Sequence, residues 1–285
     1  FFFEELTLNQ KIDFSRYNYL YATYLTNKGK FEQAKKIINS SLEIYPRNLL
    51  LNQYKLDLNN GRYTNNFNCE SLSNIIAEIF YITANALSSQ QIYTFSNFYL
   101  NLSKYLNAKF FSFNTLLAEN FYNTDNLTQA KKIYKELSKK GEAFFWYSAK
   151  QNAKIYIQEG EKEKALKLIT KSYEKLLEKD IYVMFDYARF LKNNDKFEDS
   201  INLYSEIIQK IKKDHPLYPK VKDGRGVAYE RIGEWKKAEE DLLSSLELSP
   251  DQAYVINYLA YSWIEQGKNI EQSLKMLKKA NDLKP

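Results

Sequence analysis

Small residues recur in this sequence in pairs twelve positions apart, and that register restricts the chain to one kind of architecture. The pairs are Ala22 and Ala34, Ala84 and Ser96, Ala118 and Ala130, Ala153 and Ala165, Ala188 and Ser200, Gly226 and Ala238, and Ala260 and Ser273, the last separated by 13. From Ala84 onward the first members follow one another at 34, 35, 35, 38 and 34 residues. A small residue at fixed spacing marks a place where two helix axes approach closely, because a larger side chain would hold them apart.

Helical periodicity surrounds the first small residue of each pair, as in Tyr21, Ala22 and Leu25. A turn follows at Gly29, Asp125, Gly160, Asp195 or Gly233. A second amphipathic run, such as Ala34, Ile38 and Leu42 or Ala238, Leu242 and Leu246, stops before Pro46 or Pro250, where the helical N–H is missing. Each period therefore reads as a helical hairpin. With 8 Gly and 5 Pro in 285 residues, and 44% hydrophobic residues, breakers are too rare for an all-β or disordered chain.

The stretches "YNYLYATYLTNKGKFEQAKKIINSSLEIYP" and "GRGVAYERIGEWKKAEEDLLSSLELSP" resemble the tetratricopeptide repeat, with an aromatic two places after the turn glycine (Phe31, Trp235), the small pair and the closing proline. The array as a whole, with "AYVINYLAYSWIEQGKNIEQSLKMLKKANDLKP" at its end, is similar to multi-repeat members of that family from alphaproteobacteria. The resemblance implies an all-α fold, a right-handed superhelical α-solenoid of seven to eight hairpins. Residues 1–14 read as a lead-in, the remnant of a preceding helix. The units then lie near 15–48, 49–76, 77–110, 111–145, 146–180, 181–218, 219–253 and 254–285, and the pattern is expected to continue past the last residue. The unit at 49–76 is shortened, since "NNGRYTNNFNCE" keeps the turn but lacks a convincing second helix.

Hairpins of this kind are stable only when stacked, and stacked first helices present ladders of side chains on an inner wall. The expected function is thus a non-catalytic scaffold holding a peptide or helix of a partner protein in that groove. Two other readings are a helical-repeat binder of single-stranded RNA and an accessory array of a larger enzyme. The charge of +6 comes from interspersed signs, 41 Lys+Arg against 35 Asp+Glu, which argues weakly for nucleic acid. No run of about 18 apolar residues suggests a membrane span.

Tyr147, Lys150, Lys154, Tyr182, Phe185, Arg189 and Lys192 are the candidate partner-binding residues. Lys150 and Lys154 are four apart on one helical face, and Arg189 and Tyr182 repeat Lys154 and Tyr147 at an offset of 35. By family analogy they face the groove, and their cations would suit an acidic partner. The set departs from the family's carboxylate clamp, because Phe185 stands where that clamp has a polar residue.

Nothing points to catalysis, a metal or a cofactor. One Cys (Cys69) and one His (His215) cannot build a zinc site, and no phosphate loop, HExxH or GxSxG occurs. His215 reads as an exposed loop residue in "KKDHPLYPK", a junction whose extra residues and two prolines should interrupt the stacking. Glu239, Glu240 and Asp241 read as a solvated face, since consecutive helical residues diverge by about 100°. The 24 Tyr and 18 Phe read mainly as packing residues.

Overall fold

The computed structural model describes residues 14–62 and 66–284. Among these residues the structure is a succession of α-helices without a strand. They form two compact units, Phe1–Leu176 and Leu177–Pro285.

The first unit holds α1 (Ser15–Asn27), α2 (Phe31–Ile44), α3 (Leu49–Asn59), α4 (Leu72–Ser89), α5 (Tyr93–Leu106), α6 (Phe113–Asn123), α7 (Leu127–Leu137), α8 (Glu142–Gln158) and α9 (Lys162–Lys175). The second holds α10 (Ile181–Lys192), α11 (Phe197–Lys210), α12 (Tyr218–Arg231), α13 (Trp235–Leu248), α14 (Ala253–Glu265) and α15 (Ile270–Leu283). Within each unit the hairpin partners α1 and α2, α4 and α5, α6 and α7, α8 and α9, α10 and α11, α12 and α13, and α14 and α15 pack on each other. These are the pairs that the small residues predict.

Burial at those positions is nearly total. Ala22, Ala34, Ala84, Ser96, Ala118, Ala130, Ala153, Ala165, Ala188, Ser200, Ala260 and Ser273 are all 0% exposed. At Gly226 a Cβ would come within 2.9 Å of Leu242 and 3.2 Å of the Ala238 carbonyl, so the crossing there admits only hydrogen. The turns inside the hairpins use a left-handed residue, glycine at Gly29, Gly160, Gly233 and Gly267, but Gln91, Asp125 and Asp195 elsewhere.

The region after α2 departs from regular alternation. Asn48 caps α3 by accepting the Leu51 N–H at 3.0 Å. No helix lies between Asn59 and Leu72 among the described residues. Instead of pairing with a second helix, α3 packs on α1, α2 and the distant α8. Aromatic side chains fill the adjoining core: Tyr19 meets Tyr54 edge-on at 5.1 Å and stacks on Phe110 at 5.8 Å, and Phe67 closes on Phe110 at 6.1 Å. Tyr54 also donates to Thr26 Oγ1 at 2.8 Å.

Two sequence expectations are corrected here. The junction around His215 does not interrupt stacking, since α11 packs on α12 across it. Pro219 sits in the first turn of α12, where a missing N–H costs nothing, and Leu217 and Tyr218 are buried. His215 is half-buried rather than exposed, its Nδ1 accepting the Leu217 N–H at 3.1 Å. The acidic triplet is likewise not a solvated face. Asp241, 2% exposed, accepts from Lys222 Nζ at 2.6 Å and from Arg225 Nε and Nη2 at 2.6 and 3.0 Å. Glu239 accepts from Trp263 Nε1 at 2.8 Å. Only Glu240 of the three is exposed. The 100° divergence that keeps these carboxylates from one ligand sends one to α12 and another to α14.

Candidate functional site

In the first unit the first helices of successive pairs contribute to one cavity of about 460 Å³ with mixed polar and apolar walls, the latter including Leu49, Leu50 and Ile82. Arg16 comes from α1, Asn48 from the α3 cap, Tyr81 and Asn85 from α4, and Ser112 and Thr115 from the start of α6. Phe144 of α8 lines it as well.

The positive charge of Arg16 is balanced within this unit by Glu78. Its Nε and Nη2 reach the Glu78 carboxylate at 2.5 and 2.8 Å, and its guanidinium lies 3.7 Å from the Tyr81 ring centre. Burial alone would lower the Arg16 pKa, but the Glu78 carboxylate outweighs it and the net shift is upward. Ser15 Oγ accepts from Asn48 at 2.8 Å. Ser112 Oγ, in contrast, is buried and meets no hydrogen-bond partner. The wall therefore combines a charge-balanced ion pair and hydrogen-bonding side chains with apolar ones.

The residues singled out from the sequence divide between the two units. On α8, Tyr147 donates to Glu119 Oε1 at 2.6 Å and meets Tyr134 edge-on at 5.9 Å. Burial, reinforced by the Glu119 carboxylate, pushes its phenol far above the ordinary value. That side chain is a packing and bridging residue. Lys150 is half-buried, its Nζ 5.9 Å from the Trp146 ring centre. Lys154 is exposed, with Nζ 4.2 Å over the Tyr122 ring.

On α10 of the second unit, Phe185 is 7% exposed and packs on Tyr204 at 5.9 Å, which corrects its assignment to a binding surface. Tyr182 is half-buried with its ring 6.2 Å from that of His215. Arg189 is exposed and lies 3.8 Å from Asp186 and 6.0 Å from the Phe185 ring centre. Lys192 is half-buried, and burial lowers its pKa against the opposing pull of the Asp223 carboxylate. The same effect of burial raises the Asp223 carboxyl.

Sequence reasoning missed the cavity residues Arg16, Asn85, Ser112 and Thr115. The available signal was their position on first helices, but no charge or motif distinguishes them. No cluster of three or more His, Cys, Asp or Glu among the described residues is placed to hold a metal ion. No described helix is long and apolar enough to cross a membrane.

Residues 15–48 match the family model for the tetratricopeptide repeat. No curated protein matches the chain. Among solved structures, the APC/C hetero-tetramer Cut9–Hcn1 resembles 98% of this chain over 54% of its own, at 17% identity and a TM-score of 0.54. This chain thus spans about half of that one. The tetratricopeptide protein YrrB, described as having an unusual peptide-binding site, matches 62% of this chain and 88% of its own at 15% identity and a TM-score of 0.43. The C-terminal part of a repeat protein from Cytophaga hutchinsonii matches 71% and 78% at 17% identity and a TM-score of 0.48.

Proposed function

Residues 15–48 match the tetratricopeptide repeat within an all-helical array of hairpins, and from that premise we propose that the chain is a non-catalytic scaffold that holds a peptide or helix of a partner protein against its first-helix surfaces. Repeats of this family generally mediate protein–protein interactions, and the fold is typically a scaffold rather than a catalyst. The observation that carries the finer reading is the cavity of the first unit. Its wall offers amide and hydroxyl groups, Asn48, Asn85 and Thr115, from successive pairs. Lys154 and Arg189, both exposed, supply cationic contacts in their respective units and suit a partner of acidic character.

Affinity capture with the chain, followed by Asn85→Arg and Thr115→Arg, tests the reading. Both substitutions place a long cation in the cavity and are expected to release the captured protein while leaving the circular dichroism melt unchanged. Capture that persists in both variants would remove the first-helix surface as the binding site.

A further inference from the structure

We infer that the first unit carries a membrane-surface face, formed by the second helices α5, α7 and α9 and fitted to a bilayer of anionic phospholipid. The small residues Ser96, Ala130 and Ala165 turn these helices toward their first helices, and Ser96 Oγ donates to the Ala84 carbonyl of α4 at 2.8 Å. At 100° per residue, the positions two, five, six and nine beyond each small residue fall about 140–240° round the helix, on the side facing away. On α5 these positions hold Phe98, Asn101, Leu102 and Tyr105. Phe98 is 57% exposed and Tyr105 86%, and Phe95, just before Ser96, is 63% exposed.

The hairpin itself does not require apolar residues there. At the same positions the second unit exposes Asn202, Glu206 and Gln209 on α11, and Glu240 and Glu247 on α13, with Leu243 the one apolar exception. Contiguous aromatic surface in their place marks an interaction site.

The adjoining helices supply the chemistry of what covers it. α5 and α7 both pack on α6, and α7 and α9 both pack on α8. The outward positions of α7 hold Lys132 and Lys135, with Lys139 in the turn just beyond, and those of α9 hold Lys167 and Lys171. These five lysines are exposed, against two carboxylates at such positions, Glu136 and Glu174. Rings that enter the boundary between headgroups and acyl chains, beside ammonium groups that meet lipid phosphates, are what an anionic bilayer surface binds.

The segregation of the two side-chain types disfavours a nucleic acid. A single-strand site runs its stacking rings along the same positive groove as the backbone, whereas here Lys104 is the one charged residue of α5 and the cations lie on α7 and α9. A second copy would bring the same lysine excess against itself. With 14 residues α5 is too short to cross a bilayer, so its rings reach only the boundary layer. The face uses second helices rather than the first-helix cavity, and it stands or falls independently of the peptide-binding reading.

Flotation of the full chain with vesicles of phosphatidylcholine, alone or equimolar with phosphatidylglycerol, tests the inference. The chain should float with the anionic vesicles and stay behind with the neutral ones. Phe98→Ser combined with Tyr105→Ser should weaken that binding about tenfold, and Lys132→Gln and Lys167→Gln about fivefold each, the equivalent of about 1 kcal/mol per lysine at an anionic surface. Phe98→Trp reports the contact directly: its emission should shift to the blue on anionic vesicles, while Asn202→Trp, at the equivalent place on α11, should not respond. No flotation, equal flotation with neutral vesicles, indifference to the paired serine variant, or matching responses of the two tryptophan variants would each overturn the inference. So would a Phe98→Trp shift produced by raising protein concentration alone or by oligouridylate, which would assign the face to a second copy or to single-stranded RNA.

Discussion

Gln53 Oε1 on α3 accepts the backbone N–H of Ala143 on α8 at 3.0 Å, a hydrogen bond between residues 90 apart in sequence. The N-cap of α8 is Gly141, which has no side chain to satisfy the helix start. Gln53 supplies the missing acceptor, while its Nε2 donates to Asp57 Oδ1 at 3.0 Å. Gly141 has φ 129°, a conformation that disfavours side chains, and a Cβ there would fall 2.2 Å from the Gln53 amide. Helix α3 is thus held by the first helix of a later pair.

This contact yields a graded prediction. Gln53→Ala should cost about 1–2 kcal/mol, the usual loss of a helix cap. Gly141→Ala should cost about 2–4 kcal/mol, because backbone strain and a buried clash combine. Gly29→Ala is the control: it also has positive φ, but a Cβ there meets nothing within 4 Å, so only the left-handed cost of about 1 kcal/mol applies. Urea unfolding of the three variants checks the order. Equal losses for the two glycine variants would show that Gln53 does not occupy the Gly141 site.

The part-buried Arg16–Glu78 pair is expected to respond asymmetrically to substitution. Glu78→Ala strands a buried guanidinium and should destabilise by about 3–5 kcal/mol, whereas Arg16→Met with Glu78→Leu should recover most of that loss. Thermal melts of the single and double variants decide the matter. A double variant as unstable as the single would mean that the pair's geometry, rather than its charge balance, holds α1 to α4.

Two serines at equivalent small positions should behave oppositely. Ser96 Oγ donates to the Ala84 carbonyl at 2.8 Å and accepts from Asn120 Nδ2 at 2.8 Å, so Ser96→Ala should cost about 1–2 kcal/mol. Ser273 Oγ is buried with no partner, and Ser273→Ala should be neutral or stabilise by up to about 1 kcal/mol. Denaturant midpoints measure both, and a loss at Ser273 matching that at Ser96 would contradict the assignment.

Alkaline pH should unfold the chain through its buried phenols. Burial raises Tyr19 from 10.0 to about 12, and it raises Tyr134 and Tyr204 further. A phenol with a raised folded pKa contributes its full stabilisation below the unfolded value of 10.0, and that contribution is lost as pH rises toward and through the folded value. Helix ellipticity should therefore collapse above pH 10 in step with a jump in tyrosinate absorbance. Smooth phenol titration with helix content intact to pH 12 would refute this.

The hairpin register was legible without coordinates because close helix crossings tolerate only small side chains, and that demand is local and periodic. It located the buried crossings from Ala22 and Ala34 to Ala260 and Ser273. The same periodicity could not say where a given side chain on a first helix would point its polar end. Tyr147 is tied to Glu119 and Phe185 is packed on Tyr204, since a neighbouring helix, and not the repeat offset, supplies each partner. Asp241 misled for the same reason: its buried pairing with Lys222 and Arg225 depends on α12 lying against α13. Tertiary structure alone decided that α3 reaches α8 through Gln53, and that Arg16 pairs with Glu78 across α1 and α4. Nearest-neighbour stacking encodes a repeat in a short window of sequence, whereas contacts that skip repeats arise only when the chain has folded back on itself.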